Sequence, residues 1–382
     1  MYNKSMRRSR LARTILAGTL GAVLAATSAV TALADEIIVE DAAPATEDEG
    51  IIDASSETES AGDASGEAQT IVIEEAETEA SGTAKDDQPT AATHVSVHDP
   101  SIVRSNEDGT YYVLGSHTAS AKSSDLIQWT QINFDYGNPE NTPFYGNLQE
   151  TFQVPFQWAG YNDGDCVGGY AIWAPDVIWN PYYEWEDGST GAYMLYCCTS
   201  STWRRSCISY LVSKTIDGTY TYVDTIVYSG FTKTGDPDGN SSRSTKWDND
   251  YLNLTSLIEK GSEGGGIDEI SDNWFDAAGG WNNLYAPNAI DPNLFFDADG
   301  EKLYMSYGSW SGGLFLLELD RGTGEAIYPG VDSTDEVSGN FVDRYFGVHL
   351  AGGNHQSGEA PYIQYDPETG YYYLYETYGG LT

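Results

Sequence analysis

Short apolar runs separated by turn residues follow one another in pairs along this chain. In the clearest pair, the stretch Asn288-Ala-Ile-Asp-Pro-Asn-Leu-Phe-Phe precedes an aromatic run that begins at Leu303. The run length and composition predict two β-strands, and Pro292 predicts extended backbone at the residue before it, Asp291. The same order occurs three more times. It consists of a small or acidic residue, a proline, an apolar strand and an aromatic strand that ends in small residues. Those copies begin at His98-Asp-Pro-Ser-Ile-Val, Trp173-Ala-Pro-Asp-Val-Ile-Trp and Gly358-Glu-Ala-Pro-Tyr-Ile-Gln.

A repeated two-strand unit with long spacing is typical of a β-propeller. The prolines of the four copies are residues 100, 175, 292 and 361, so the intervals are 75, 117 and 69 residues. Each interval can hold a four-stranded blade and its loops. Radial symmetry would bring the residues before the prolines to one mouth of a central channel. Those residues are Asp99, Ala174, Asp291 and Ala360, with Glu359 beside the last of them.

Residues 1–34 have the pattern of a secretory signal peptide. Four arginines from Arg7 to Arg13 precede an apolar core, and Ala32-Leu-Ala forms a small-x-small cleavage signal. A membrane anchor is the alternative, but it needs about 20 strongly apolar residues, and Thr, Gly and Ser interrupt this segment. We therefore expect export, with no membrane attachment through this segment after cleavage.

Residues 35–93 differ sharply in composition from residues 94–382. They hold 18 acidic residues, one basic residue, Lys85, and no aromatic residue. Such a segment cannot bury enough apolar surface to offset its ordering entropy, so it is predicted to be a disordered acidic linker. A specific acidic binding tail is the alternative. The formal net charge of −40 for the whole chain makes nucleic acid and anionic membranes poor partners.

Residues 94–382 are predicted to form one all-β domain, rich in Tyr, Trp and Gly. Helical periodicity is scarce, and residues 252–258 are the only short candidate. Residues 235–283 are rich in Gly, Asp and Ser, which favours long surface loops near the mouth.

Four cysteines could form disulfides in an exported protein. Strands near 193–201 and 206–214 are predicted to form a hairpin, with Cys198 and Cys207 as diagonal neighbours on one face. A bridge between them and two buried free thiols are equally compatible with this placement. Cys166 and Cys197 have no evident partner, and the spacing of Cys and His indicates neither a zinc site nor a redox motif.

Carboxylates at the predicted mouth indicate acid/base chemistry on a neutral substrate. Glycoside hydrolysis needs one carboxylic acid to protonate the leaving oxygen and one carboxylate to activate water or to attack directly. Exposed aromatic rings would offer flat apolar faces for sugar rings, although most aromatic residues here are expected to be ordinary packing. Asp-Pro alone starts many turns, so its repetition at equivalent positions carries the argument.

Five motifs resemble glycoside hydrolase family 43 arabinanases, particularly the larger, calcium-containing endo-1,5-α-L-arabinanases. They are His98-Asp-Pro-Ser, Ile172-Trp-Ala-Pro-Asp, Asn288-Ala-Ile-Asp-Pro-Asn, Tyr307-Gly-Ser-Trp-Ser-Gly-Gly and Ser357-Gly-Glu-Ala-Pro-Tyr-Ile. The resemblance covers nearly all of residues 94–382. It implies a five-bladed β-propeller, an inverting mechanism, a calcium ion, and plant cell-wall arabinan or arabino-oligosaccharides as substrates.

The resemblance also implies individual roles. Asp99 corresponds to the general base, Glu359 to the general acid, and Asp291 to a third carboxylate that holds the acid and raises its pKa by like-charge repulsion. Capping of a turn is the alternative role for each carboxylate. The implied substrate contacts are Trp173, Asn288, Gly308, Ser309 and Trp310. His117 and His355 are further candidates, although polar residues satisfied within the fold are the commoner case.

Only four copies of the repeated unit are present, and the chain ends at Thr382 soon after the fourth. We therefore expect a fragment that lacks the fifth blade and the family's channel histidine near calcium, and that is poorly folded or inactive alone. The expected protein is a secreted, monomeric endo-acting arabinanase. An exo-acting arabinofuranosidase or β-xylosidase of the same family and a non-catalytic polysaccharide-binding propeller are the alternatives.

Overall fold

Strands dominate the part of the chain that the structure, a computed structural model, describes. The described residues are 93–134, 137–161, 170–202, 205–230, 271–336, 338–353 and 358–378. The predicted signal peptide, all but the last residue of the predicted acidic linker, and the predicted helix at 252–258 lie outside them. Within these ranges, no helix is both long enough and apolar enough to cross a bilayer.

The first two sheets are antiparallel meanders whose strands pair in chain order. The first sheet consists of β1 (Ser101–Arg104), β2 (Tyr111–Leu114), β3 (Ser120–Ser123) and β4 (Trp129–Asn133). The second consists of β5 (Ile172–Glu184), β6 (Thr190–Thr202), β7 (Arg205–Ser213) and β8 (Thr221–Tyr228). Every residue of β7 is buried, so this sheet is covered on both faces.

The third sheet is larger and the fourth smaller. The strands of the third are β9 (Asn293–Phe296), β10 (Leu303–Ser309), β11 (Gly313–Leu319), β12 (Ala326–Ile327), β13 (Ser333–Thr334), β14 (Phe341–Asp343) and β15 (Gly347–Ala351). They have the order β13-β14-β15-β11-β10-β9, with β12 paired to β11. The fourth is the hairpin of β16 (Glu359–Asp366) and β17 (Tyr371–Thr377).

The predicted two-strand unit is confirmed in all four copies. In each copy the apolar strand pairs antiparallel with the aromatic strand that follows it, as β1 with β2, β5 with β6, β9 with β10, and β16 with β17. The first strands of the four sheets line one cavity of about 580 Å³. This radial arrangement, with the first strand of each sheet innermost, is the one expected of propeller blades.

The predicted extended backbone at Asp291 is wrong. The four residues before the prolines share a left-handed backbone, with φ of 48° at Asp99, 42° at Ala174, 54° at Asp291 and 54° at Ala360. This conformation is uncommon for residues other than glycine. Contacts from the neighbouring sheet outweigh the local preference, because the backbone N–H of Ala174 donates to Ser116 Oγ (2.9 Å) and that of Ala360 donates to Asp291 Oδ2 (3.1 Å).

Two short helices were not anticipated between the first and second sheets. They are α1 (Leu148–Thr151) and α2 (Gln153–Ala159), and a 3-10 turn also forms at Ser116–Thr118 and at Asp272–Trp274. The side chain of Asn147 caps α1 by accepting from the N–H of Gln149 (3.0 Å). Pro155 lies in the first turn of α2, where its missing N–H costs little.

The described cysteines are buried free thiols at Cys197, Cys198 and Cys207. The predicted hairpin is confirmed as β6 and β7, and Cys198 pairs with Ile208 while Cys207 pairs with Thr199. Cys198 and Cys207 are therefore buried free thiols and do not form the disulfide that was the other alternative. Burial raises the pKa of both thiols well above the usual value. Cys166 lies outside the described residues.

Candidate active site

Three carboxylates meet where the inner strands begin. Asp99 precedes β1, Asp291 precedes β9, and Glu359 is the first residue of β16; each side chain is partly buried. Asp99 and Asp291 line the 580 Å³ cavity, and Glu359 lines a smaller cavity beside it. The charges of Asp99 and Glu359 both raise the pKa of Asp291, so the three act as one electrostatic group.

The carboxylate of Asp99 is held through a single oxygen. Its Oδ2 accepts from the hydroxyl of Ser116 and lies 3.1 Å from Nδ1 of His98. The Ser116 hydroxyl also accepts from the backbone N–H of Ala174, at 2.9 Å, in the second sheet. The first candidate carboxylate is therefore tied to two sheets.

Asp291 is the carboxylate whose pKa is raised most among the three. Burial raises its pKa to about 8, and the negative charges of Asp99 and Glu359 add to that effect. The N–H of Ala360, which donates to Asp291 Oδ2, opposes it only in part. Asp291 is therefore mostly protonated at neutral pH, and it contacts the residue next to Glu359.

Burial also raises the pKa of Glu359, and the negative charge of Asp99 acts in the same direction. Hydrogen bonds from the side chains of Trp310 and Ser309, and the charge of His98, oppose this shift. The sequence had suggested that Asp291 would supply the repulsion on Glu359. In the structure burial is the main cause, Asp99 is the repelling charge, and Asp291 itself undergoes the large shift, because it is the more deeply buried group.

A second cavity of about 350 Å³ lies beside Glu359. Its lining residues are Trp173, Ser200, Asn288, Ile290, Ser309, Trp310 and Glu359. Four of the five residues implied as substrate contacts are in this set. The two indole rings give this cavity apolar surface next to a carboxyl group, which suits a sugar ring and its glycosidic oxygen.

Asn288 is fixed by hydroxyl groups behind it. Its Oδ1 accepts from Ser206 Oγ at 2.8 Å and from Ser229 Oγ at 3.5 Å. Because the oxygen is engaged there, the amide nitrogen is the atom left to donate into the smaller cavity. Asn288 is otherwise almost fully buried.

The remaining candidates have different surroundings. Gly308 is buried in β10 with φ of 122°, and a Cβ there would lie 2.3 Å from the carbonyl oxygen of Gly313, so close backbone packing explains the glycine. His117 is buried and packs edge-on against Trp173, with ring centroids 5.8 Å apart. His355 lies outside the described residues.

Sequence reasoning missed Ser116, Ser200 and Ile290 as site residues. Ser116 follows β2 and Ser200 lies near the end of β6, where each aromatic strand ends in small residues. That repeated ending was visible in the sequence and could have indicated them. Which of the small residues would face a carboxylate depends on strand register, which the sequence pattern does not specify.

The described residues do not form a metal cage. They contain no group of three or more His, Cys, Asp or Glu side chains placed to hold an ion. Asp176, a further carboxylate in the larger cavity, has both oxygens occupied by protein donors, including Ser101 Oγ (2.7 Å) and Leu294 N–H (2.6 Å). The expected calcium ion therefore stays a prediction.

Comparisons with known proteins identify relatives. No family model matches the chain. An extracellular endo-α-(1→5)-L-arabinanase of Bacillus subtilis is 35% identical over 287 residues, covering 75% of this chain and 45% of the relative. The crystal structure of an endo-1,5-α-L-arabinanase from Thermotoga petrophila is 34% identical, with a TM-score of 0.50, covering 75% of this chain and 48% of that one. A family 43 glycoside hydrolase structure from Bacillus licheniformis gives 33% identity, the same coverages and a TM-score of 0.50.

The all-β fold and the carboxylate group thus coincide with similarity to glycoside hydrolases. More narrowly, the resemblance indicated by the motifs is confirmed: the chain is a relative of the arabinanases of glycoside hydrolase family 43. The chain spans about half the length of the curated relatives it matches.

Proposed function

We propose that the protein is a secreted glycoside hydrolase that cleaves internal α-1,5-L-arabinofuranosidic bonds of arabinan. The observation that supports this most directly is the group of Asp99, Asp291 and Glu359 beside a cavity with two tryptophans. The 35% identity to an extracellular endo-arabinanase supports the substrate, the endo action and the extracellular location.

The proposed mechanism inverts the anomeric centre in one displacement. Asp99 removes a proton from water as the water oxygen bonds to the anomeric carbon. The bond from that carbon to the glycosidic oxygen breaks, and Glu359 transfers its proton to the departing oxygen. An inverting pair of carboxyl groups stands roughly 6.5 to 9.5 Å apart to admit the water. The mechanism needs protonated Glu359 and ionised Asp99 in the same enzyme molecule.

The surroundings of the carboxylates suit these roles. Burial raises the pKa of Glu359, which favours the protonated form that a general acid requires. Asp291 accepts from the N–H of Ala360, so it fixes the backbone next to Glu359. Because its pKa is about 8, Asp291 can do this at neutral pH without adding a full third negative charge.

We also propose that the fold is a five-bladed propeller, as the resemblance implies. Four inner strands around one cavity support a radial arrangement. The first and fourth sheets leave apolar side chains exposed, including Ile102 (56%) and Tyr375 (56%), which suits a further sheet packed against them. Residues 1–34 as signal peptide, 35–93 as linker and 94–382 as enzyme domain stay predictions. Calcium and a monomeric state also stay predictions, and no step above depends on either.

Replacing Glu359 with Gln tests the proposal. We expect cleavage of linear arabinan to fall by at least about 100-fold while binding of the polymer persists, because the amide keeps the shape of the side chain but cannot donate the proton. Release of reducing ends measures cleavage, and affinity electrophoresis in arabinan gels measures binding. Glu376→Gln is the control, since burial raises the pKa of Glu376 too but the residue lies outside both cavities.

The products distinguish the alternatives. Short oligomers from linear arabinan support endo action, whereas free monosaccharide, together with cleavage of an aryl arabinofuranoside, indicates an exo-acting enzyme. Binding without products from the unmodified protein indicates a polysaccharide-binding domain. A wild-type rate in Glu359→Gln would contradict the assignment of the acid.

A further inference from the structure

The hydroxyl group of Ser116 joins the first sheet to the second at the candidate base. Ser116 has no solvent-exposed surface. Its hydroxyl donates to Asp99 Oδ2 and accepts from the backbone N–H of Ala174 at 2.9 Å. One side chain therefore contacts both the carboxylate before β1 and the left-handed residue Ala174 near the start of β5.

The turn that carries Ser116 is fixed on both sides. The N–H of Ser116 donates to the carbonyl oxygen of His98 at 3.0 Å, and a Cβ at Gly115 would lie 2.2 Å from that same oxygen. The next two residues, His117 and Thr118, have φ of 55° and 68°. Left-handed backbone at such residues costs about 1–3 kcal/mol each and persists only where the surrounding fold imposes it. The position of the Ser116 hydroxyl is thus set by the fold.

The contacts of Asp99 leave one of its oxygens available. Ser116 and His98 both approach Oδ2. Within the residues that the structure describes, Oδ1 accepts no hydrogen bond. A carboxylate held through one oxygen presents the other in a defined direction, which is what a general base needs to take a proton from a positioned water.

The second sheet repeats this arrangement with a thiol. Cys198 pairs with Trp173, and its Sγ lies 3.4 Å from the carbonyl oxygen of that residue. In both sheets, a side chain in or just after the second strand therefore contacts the residues before the repeated proline of its own sheet, as Ser116 contacts Asp99. Such recurrence argues against an accidental contact at Ser116.

We propose that Ser116 is a positioning residue for the general base. It orients the Asp99 carboxylate so that Oδ1 faces the attacking water, and it links this orientation to the second sheet through Ala174. The inference rests on the proposed function, because it takes Asp99 as the base. It adds a residue that the motif resemblance did not indicate.

The test compares two buried serines of the same sheet. Ser116→Ala removes the hydroxyl that binds Asp99, whereas Ser120→Ala removes a hydroxyl that is equally buried but has no hydrogen-bond partner among the described residues. On linear arabinan we expect Ser116→Ala to lower kcat on the order of 10-fold to 100-fold with KM within about twofold, since a misdirected base slows chemistry more than binding. Ser120→Ala should keep both constants.

A second readout does not depend on activity. Hydrogen exchange of the Ala174 amide should accelerate in Ser116→Ala and stay unchanged in Ser120→Ala, because only the first loses the acceptor of that N–H. Equal kcat values for the two variants would overturn the inference, and so would an unchanged Ala174 exchange rate. Asp99→Asn distinguishes failure of the base assignment from failure of the positioning role. If Asp99→Asn retains the wild-type rate, Asp99 is not the base. If Asp99→Asn is inactive while Ser116→Ala is fully active, only the positioning role of Ser116 is refuted.

Discussion

Asp291 shows how the fold alters the chemistry of a single residue. An aspartate in the unfolded chain ionises near pH 4, but burial and the nearby charges of Asp99 and Glu359 raise the folded-state pKa of Asp291 to about 8. Between these two values the unfolded chain loses a proton that the folded protein keeps. The free energy of unfolding therefore falls as pH rises through this range, and the cost is largest above pH 8.

Asp291→Asn should remove this pH-dependent cost. The amide oxygen can still accept from the N–H of Ala360, so the contact survives. We expect the variant to melt at the same temperature as the wild type near pH 4 and at a higher temperature at pH 8, with a gain of at least about 1 kcal/mol, one pKa unit being worth about 1.4 kcal/mol. Thermal melts across this pH range measure the difference.

The matched control has a shift of the opposite sign. The N–H of Glu368 lowers the pKa of Asp366 in a turn. Asp366→Asn should therefore not stabilise the protein at any pH. Any loss in the free energy of unfolding should appear above pH 4 and vanish below it. A melting difference for Asp291→Asn that is independent of pH would show that the raised pKa is not the cause.

At the residue scale, the sequence indicated which residues carry the chemistry but not their contacts. Asp99 and Asp291 could be found because each directly precedes a repeated proline, and Glu359 could be found because it is next to Ala360, which does the same. The hydrogen bond from Ser116 to Asp99 could not be found in the same way. It depends on the turn in which His117 and Thr118 are left-handed, and no local preference favours that backbone. The direction of each pKa shift likewise depends on burial, which only the assembled sheets determine.

At the element scale, two of the inner strands, β5 and β16, begin with a left-handed backbone that their residue types disfavour. Ala174 and Ala360 have Cβ atoms, yet both adopt positive φ before a proline. For such residues the left-handed region costs about 1–2 kcal/mol. The inner strands can start at the cavity only because neighbouring sheets bind these turns.

Replacing Ala174 with Gly should therefore stabilise the protein. Relief of the backbone strain exceeds the roughly 0.5–1 kcal/mol that glycine usually costs, and the N–H that binds Ser116 is retained. We expect a net gain of about 0.5–1 kcal/mol in chemical denaturation. Ala298→Gly is the control: this residue is exposed and is not in the left-handed region, so the change should be neutral or destabilising. Equal losses in both variants would contradict the strain argument.

Strand pairs were predictable at the element scale because their turn signals and apolar runs are local. The hairpin of β6 and β7 follows directly from the sequence between residues 193 and 214. Helices α1 and α2 were missed because a proline interrupts a short segment whose packing, and not its periodicity, makes it helical. The left-handed turns were missed because the general preference before proline points the other way.

At the scale of the whole molecule, a chain of hydrogen bonds connects the inner strands of all four sheets. Ser101 of β1 donates to Asp176 of β5, and Asn293 of β9 donates to the other oxygen of Asp176 (3.2 Å). The Oδ1 atom of Asn293 accepts from the N–H of Ile363 in β16 at 2.9 Å. Ser101, Asp176 and Asn293 each directly follow one of the repeated prolines, so they occupy equivalent places in the repeat. The sequence analysis did not predict that polar side chains there would hold the sheets together.

The carboxylate of Asp176 is the centre of this connection, and Asp176→Asn should weaken it. Both oxygens accept from backbone N–H groups, Oδ1 from Val177 at 3.0 Å and Oδ2 from Leu294 at 2.6 Å, so the amide NH2 of asparagine must face a donor in either orientation. A buried donor without an acceptor costs about 1–3 kcal/mol, and we expect a loss of that size in urea denaturation. Asp320→Asn, in an exposed turn that also binds backbone N–H groups, should cost much less. Equal midpoints for Asp176→Asn and the wild type would show that apolar packing alone joins the sheets.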